Sequence, residues 1–109
     1  MSCELEVTVR LLSLSKFQAI VLTKEIEGAT YTHHSEKDRY VGCIPLMEST
    51  QHDILTFIER QKIDIKNTDI FLSAASENYS EILDIPKSVN SMLKLADFKL
   101  TMSFTCLPD

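Results

Sequence analysis

The sequence is poor in the residues from which local catalytic motifs are built. It contains only two glycines, so it can form neither a phosphate-binding P-loop nor a glycine-rich dinucleotide fingerprint. No serine or cysteine lies within a GxSxG elbow or a cysteine-protease signature. Paired carboxylates such as Glu25 and Glu27 are most simply charged loop residues. We therefore expect a protein that is not an enzyme and holds no cofactor, although an active site assembled from distant residues would leave no local trace.

Cysteines and long apolar runs are also scarce. Cys3, Cys43 and Cys106 are an odd number of cysteines without a CxxC spacing, which predicts reduced, buried thiols. The longest strongly apolar run, residues 17–22, is too short to cross a bilayer. The first ten residues lack the basic-then-apolar order of a signal peptide. These features predict a cytoplasmic protein without a membrane partner.

Basic residues are outnumbered by acidic ones, 11 against 16, which gives a net charge of −5. Nucleic-acid binding needs clustered Lys and Arg that replace the counterions of phosphates, so this balance disfavours it. A negative surface would instead complement a basic protein. No basic residue occurs between Lys66 and Lys87. The acidic residues in that window are Asp69, Glu77, Glu81 and Asp84.

Tyr79 lies inside the same window, among acidic and small polar residues of a predicted loop. Loops held by a rigid scaffold often carry function, and tyrosine is enriched among the residues that contribute most to binding at interfaces. We therefore predict that this window binds a partner protein. The predicted partner-binding residues are Asp69, Glu77, Tyr79, Glu81 and Asp84.

Four side chains are candidate soft metal ligands, namely His33, His34, Cys43 and His52. Neighbouring histidines on a strand point to opposite faces, so only one of the first two can join a shared site. In the predicted hairpin, Cys43 lies well along the opposite strand from His33. Zinc requires three or four converging ligands, and we therefore predict no metal site.

Hydrophobic periodicity predicts five strands and three helices in one domain that spans residues 1–109. The predicted strands are 3–11, 29–34, 39–46, 70–75 and 98–106, and the predicted helices are 15–26, 50–61 and 86–96. The signals for the first helix compete. Ser15 can cap it and Gly28 can end it, whereas its FQAIVLT stretch is rich in strand formers.

Further local signals refine these elements. Thr50 and Asp53 resemble a capping box, and Gly42 is a candidate β-bulge. Residues 81–85 are a candidate for further extended pairing. In the last unit, Leu93 and Phe104 are expected to be buried, so that Leu93→Asp or Phe104→Asp would unfold the domain by burying an unpaired charge.

The resulting order, β-α-β-β-α-β-α-β, predicts an α+β fold in which an antiparallel or mixed sheet has its helices packed on one face. The first six elements match the split β-α-β arrangement of ferredoxin-like domains, and the last helix and strand extend it. If residues 15–26 formed a strand instead, the alternative would be a β-rich sandwich with two helices.

From about residue 40 to residue 104, the chain has an extended RYVGCIPL segment, an ILTFIERQ helix, a DIFLSAAS strand and a closing IPKSVNSMLKLADFKLTMSF unit. In the order and apolar spacing of these elements, the chain resembles a family of small bacterial domains of unknown function. This resemblance brings no activity and no functional residue with it. As a small acidic domain without catalytic motifs, the chain also resembles the immunity proteins of bacterial contact-dependent growth inhibition toxins. Each of those proteins blocks the active site of one cognate toxin.

The principal hypothesis is a non-enzymatic bacterial immunity protein, or antitoxin, that binds and neutralises a basic toxin. A nuclease is the expected toxin, because its polyanionic substrate requires a positive cleft for which an acidic inhibitor competes. The protein is taken to be monomeric outside such a complex. The alternative is a small enzyme or ligand-binding domain with a pocket between sheet and helices. A third hypothesis is a subunit that homo-oligomerises through an exposed edge strand.

Overall fold

Five strands and three helices occur in the predicted order within residues 3–76 and 85–106, which are the residues that the computed structural model describes. The strands are β1 (Cys3–Leu14), β2 (Thr30–His34), β3 (Arg39–Pro45), β4 (Thr68–Ser76) and β5 (Lys99–Cys106). The helices are α1 (Lys16–Glu25), α2 (Glu48–Arg60) and α3 (Lys87–Leu95), and a 3-10 turn (Ile65–Asn67) precedes β4. The extended pairing predicted for 81–85 falls almost wholly outside the described residues and stays a prediction.

The strands form one mixed sheet in the order β2-β3-β1-β4-β5. β1 pairs antiparallel with both β3 and β4, and β2 pairs antiparallel with β3. β1 and β2 are therefore parallel to each other with β3 between them, which is the predicted split β-α-β arrangement. β5 extends the sheet by pairing parallel with β4. The α+β prediction is confirmed, and the sandwich alternative is wrong because residues 16–25 form a helix.

Local hydrogen bonds explain why this first helix forms although its sequence is rich in strand formers. The Ser15 hydroxyl accepts from the Gln18 backbone N–H at 3.1 Å, and the Gln18 side chain accepts from the Ser15 backbone N–H at 2.9 Å. Together they form a capping box. Gly28 follows the helix with a φ of +83°, a conformation that glycine adopts without steric penalty. Burial of Ala19 and Leu22 then favours the helix further.

All three helices pack on the same face of the sheet. Leu22 of α1, Phe57 of α2 and Met92 of α3 belong to one buried cluster with Val9 and Ile70 of the sheet. The opposite face, which we call the open face, carries no helix in the described parts of the chain. An antiparallel sheet can have one such solvated face. None of the described helices is long and apolar enough to cross a membrane.

The capping box predicted at Thr50 is wrong because α2 begins earlier, at Glu48. Thr50 is buried at the third helical position. Its hydroxyl accepts from the Met47 backbone N–H at 2.9 Å and donates to the Pro45 carbonyl at 2.9 Å. These two bonds tie the end of β3 to the start of α2.

Gly42 permits close packing and does not itself form the predicted bulge. The register of β1 against β3 is regular as far as Leu11, which pairs with Gly42, and shifts before Leu14, which pairs with Tyr40. The extra residue is therefore in β1. A Cβ atom at Gly42 would lie 2.4 Å from Leu22 Cδ2 and 2.9 Å from Leu14 Cδ1. Glycine at this position is what allows α1 to approach the sheet so closely.

The last helix and strand are more exposed than predicted. On the helix side, three apolar side chains of β5 pair with buried residues of β4 and are nevertheless exposed. They are Leu100 (42% exposed), Met102 (64%) and Phe104 (47%). β5 is the outermost described strand, so no neighbouring strand shields them. Leu93 is also exposed. The expectation that Leu93→Asp or Phe104→Asp would bury an unpaired charge is therefore wrong, because either carboxylate could reach water.

Candidate functional site

An ion pair lies at the centre of the open face. Arg10 of β1 donates through Nε to Asp69 Oδ1 of β4 at 2.8 Å, and its Nη2 group donates to Asp69 Oδ2. Thr101 of β5 donates its hydroxyl to the same Oδ2 atom at 2.9 Å. The strand register places Arg10 directly opposite Asp69. Three neighbouring strands are thus joined around one carboxylate, and Asp69 is only 2% exposed.

The surroundings of Asp69 keep its carboxylate ionised. Burial alone would raise the pKa of Asp69, but hydrogen bonds from Arg10 and Thr101 and the positive charges of Arg10 and Lys99 together lower it. The hydrogen bond to Asp69 raises the pKa of Arg10 in turn. Both groups are therefore charged at neutral pH, and the charge of Asp69 is compensated within the sheet.

Phe71 and Cys43 complete the surroundings of Arg10. The guanidinium carbon of Arg10 lies 4.3 Å from the centroid of the Phe71 ring, which is a cation–π distance. Cys43 of β3 lies opposite Arg10 as a half-buried free thiol. Burial raises the pKa of the Cys43 thiol, although the charge of Arg10 acts in the opposite direction. Reactive cysteines have a lowered pKa, so the surroundings of Cys43 do not favour its thiolate form.

The candidate metal ligands are kept apart. His33 lies on the helix side of the sheet, where its ring stacks on Tyr40 with centroids 4.6 Å apart and its Nε2 atom lies 3.1 Å from Asp38 Oδ1. Cys43 lies on the open face, and His52 is on α2. No group of three or more His, Cys, Asp or Glu side chains among the described residues could hold a metal ion.

Of the predicted partner-binding residues, Glu77, Tyr79, Glu81 and Asp84 lie outside the described residues, and their role stays a prediction. Asp69 is described, and its carboxylate is buried and paired with Arg10. Its charge is therefore not part of an exposed acidic surface. The structure gives Asp69 a role in joining strands, with Arg10 and Thr101 as partners that the sequence did not indicate.

Segments that carry acidic residues are joined in sequence to one end of the sheet, which we call the acidic end. Cys3 at the start of β1 pairs with Ser76 at the end of β4, and Ser76 pairs in turn with Cys106 at the end of β5. Glu4 follows Cys3, residues 77–84 follow Ser76 directly, and Asp109 comes three residues after Cys106. The strand register thus brings together three positions that are distant in sequence.

Comparisons with known proteins add no functional assignment. No protein-family model, curated protein or solved structure matches the chain. Function therefore has to be inferred from the sequence and from the geometry of the described residues.

Proposed function

We propose that this chain is a non-enzymatic protein-binding domain, most concretely a bacterial immunity protein that neutralises a basic toxin by covering its active site. The observation that carries this proposal is the distribution of charge along the sequence. The net charge is −5, and residues 77–84, which follow β4 at the acidic end, include Glu77, Glu81 and Asp84 and no basic residue. Complementary charge steers association and suppresses wrong partners, so a basic partner would be drawn to this end in particular.

A nuclease is the toxin that such a charge distribution fits best. A nuclease must bind a polyanion, so its cleft carries Lys and Arg that contact phosphates. An inhibitor that offers the carboxylates of Glu77, Glu81 and Asp84 can occupy that cleft in place of the substrate. Tyr79, which lies among Glu77 and Glu81 in the sequence, would supply the apolar anchor, since charged rims mainly set association rates and aromatic centres mainly set affinity.

The alternative of a small enzyme or ligand-binding domain has less support. A deep pocket that gathered His33 or His34 with Cys43 and a carboxylate would have supported it. His33 is on the helix side, whereas Cys43 is on the open face and the pKa of its thiol is raised. His34 pairs with Arg39, four positions along β3 from Cys43. Fully buried side chains such as Leu22 and Phe57 occupy the space between the layers. These observations favour the binding hypothesis.

The first experiment identifies the partner. Tagged protein is purified from its native host, and the proteins that co-purify are identified by mass spectrometry. We expect a basic protein, and we expect co-expression of this chain to suppress the toxicity of that protein. If the chain is recovered alone and gives no protection against the product of the neighbouring gene, the proposal fails.

The second experiment locates the binding surface. The test variant is Glu77→Lys/Glu81→Lys/Asp84→Lys. The control variant, Glu27→Lys/Asp53→Lys/Glu59→Lys, changes the net charge by the same amount at exposed positions on α2 and on the connection after α1. We expect the test variant to associate with the toxin at least about tenfold more slowly at low salt, with a smaller difference at high salt. Equal losses in both variants would mean that only the net charge matters and would contradict a binding surface at the acidic end.

A further inference from the structure

The outer edge of β5 is long, regular and nearly uncharged. β5 has eight residues, and its register with β4 is unbroken from Lys99 to Cys106. Lys99 is its only charged residue, and it contains no proline. No described strand pairs with its outer edge. Proteins usually protect such an edge with charged side chains, proline, a bulge or a very short strand, and β5 has Lys99 alone.

The other edge of the sheet is better protected. β2 has five residues, all of them exposed. It leads directly into a turn at 35–38 that contains Glu36, Lys37 and Asp38. A short strand beside a charged turn offers little length for pairing. Of the two described edges, β5 is therefore the one suited to strand pairing.

β5 also presents an apolar surface on the helix side. Leu100, Met102 and Phe104 alternate along the strand and are all exposed, and Leu95 at the end of α3 is 62% exposed. At roughly 150–250 Å² for a large side chain, the exposed fractions of the three β5 residues leave on the order of 300 Å² of apolar area. That is comparable with the largest apolar patch on a typical monomer, and such patches are often functional.

We propose that this edge pairs with β5 of a second copy of the chain, antiparallel and about a two-fold axis at Met102, so that two sheets become one. The sequence around Met102 supports this register because it alternates in the same way in both directions. Met102 would face Met102 of the second copy, and Leu100 would face Phe104. On the open face, Thr101 would face Ser103. Every apolar side chain thereby opposes an apolar one, and cross-strand pairs of this kind stabilise sheets.

The charge of β5 itself does not oppose a second copy at this edge. Two chains that each carry −5 repel one another in general. In the proposed register, however, Lys99 faces Thr105, so no like charges of β5 are opposed. A shift by one residue would oppose the apolar face of one strand to the polar face of the other. A shift by two residues towards the start of β5 would shorten the paired length from seven residues to five. A shift by two towards its end, centred on Ser103, would keep seven residues paired but would oppose Leu100 to the smaller Cys106. The register centred on Met102 is the one that pairs the three large apolar side chains only with one another.

The buried area indicates a dimer that depends on concentration. A stable interface buries about 800 Å² per partner, and the apolar surface of β5 supplies less than half of that. Backbone hydrogen bonds along the strand and Leu95 would add to it. The inference does not depend on the toxin proposal, and it replaces the assumption that the free protein is a monomer.

Sedimentation velocity of the full chain tests the dimer. We expect the average mass to rise from 12.4 kDa towards twice that value between low and high micromolar concentrations. Met102→Lys opposes two like charges at the axis and should keep the protein monomeric, whereas Thr32→Lys, at an exposed position on the opposite edge, should dimerise normally. Circular dichroism checks that both variants are folded. A wild-type chain that stays monomeric throughout, or a folded Met102→Lys variant that dimerises normally, would overturn the proposal.

Disulfide cross-linking tests the register independently. In a background with the native cysteines changed to alanine, Met102→Cys is compared with Leu100→Cys. Opposed residues of antiparallel strands have Cα atoms about 4.5–5.5 Å apart, which a disulfide can bridge. The two Leu100 positions would be roughly 14 Å apart along the strands. We expect Met102→Cys to form covalent dimers and Leu100→Cys to form none, and any other result would overturn the proposed register.

Discussion

Replacing Asp69 by asparagine should destabilise the domain by removing one charge of a largely buried ion pair. Asparagine has the same shape and can still accept a hydrogen bond from Thr101, so Asp69→Asn tests the charge and not the packing. The Asp69 side chain is 3% exposed, whereas that of its partner Arg10 is 30% exposed. The variant therefore leaves a guanidinium that is partly buried and has lost its counter-charge.

The exposed fractions of the Asp69 and Arg10 side chains set the loss of stability that we expect for Asp69→Asn. Removing one partner of a buried ion pair costs about 3–5 kcal/mol, and an exposed pair contributes about 0–1 kcal/mol. Because Arg10 can turn part of its guanidinium to water and keeps its contact with Phe71, we expect a loss of about 2 kcal/mol in the free energy of unfolding. Urea unfolding at neutral pH measures it. The control Asp53→Asn removes an exposed carboxylate and should change stability by less than about 0.5 kcal/mol.

The pH dependence gives a second test of the same reasoning. Folding lowers the pKa of Asp69, so its contribution is fully present above the unfolded value of about 3.9 and is lost as the pH falls through the folded value. The stability difference between wild type and Asp69→Asn should be full at neutral pH and decrease below about pH 4. A loss under about 0.5 kcal/mol at neutral pH, or a difference that does not decrease in acid, would refute the reasoning.

A double variant separates ion pairing from packing. Arg10→Met/Asp69→Leu removes both charges and keeps apolar volume on the open face. Replacing a buried ion pair by apolar side chains is often neutral or stabilising. We therefore expect the double variant to be more stable than Asp69→Asn. If it were less stable, the two residues would contribute through contacts other than their mutual charge.

Three further substitutions test packing and capping by urea unfolding at neutral pH. Gly42→Ala should cost about 1–3 kcal/mol, because its Cβ atom would lie 2.4 Å from Leu22 Cδ2; an unchanged stability would mean that Leu22 moves aside freely. Ser15→Ala should cost about 1 kcal/mol by removing the hydroxyl that caps α1, and no loss would contradict the capping role. Phe57→Ala should cost about 3–5 kcal/mol because Phe57 is 1% exposed. Its control Phe17→Ala, at 70% exposure, should cost less than about 0.5 kcal/mol.

The order of elements was predictable because each depends on neighbouring residues. The alternation of β1 and the capping signals at Ser15 and Gly28 act within a few positions of the chain. The start of α2 is harder to predict, because a threonine hydroxyl can serve either as the N-cap or from within the first turn. The spacing of Thr50 and Asp53 predicts the first arrangement, whereas the Thr50 hydroxyl accepts from the Met47 N–H from the third helical position.

The ion pair on the open face was not predictable, because it depends on the register of two distant strands. Arg10 and Asp69 are 59 positions apart in the sequence. In isolation each has the pattern of a charged residue on a solvated face, so the sequence predicts that Asp69 belongs with the acidic residues of the following loop. The signal that pointed the other way was its position directly before the buried Ile70 at the start of a strand. The exposure of the apolar side chains of β5 was not predictable either. Apolar and polar residues alternate in the same way in a central strand and in an edge strand.

The internal pairing of Asp69 leaves Glu77, Glu81 and Asp84 as the predicted partner-binding carboxylates, and all three follow β4 in the sequence. A partner that binds them would approach the acidic end of the sheet. In the proposed dimer, antiparallel β5 strands place the two acidic ends at opposite ends of the joined sheet. Each copy could therefore bind one toxin without obstructing the other. A complex of two chains and two toxins should form at high concentration, and Met102→Lys should reduce it to one of each while toxin binding is retained.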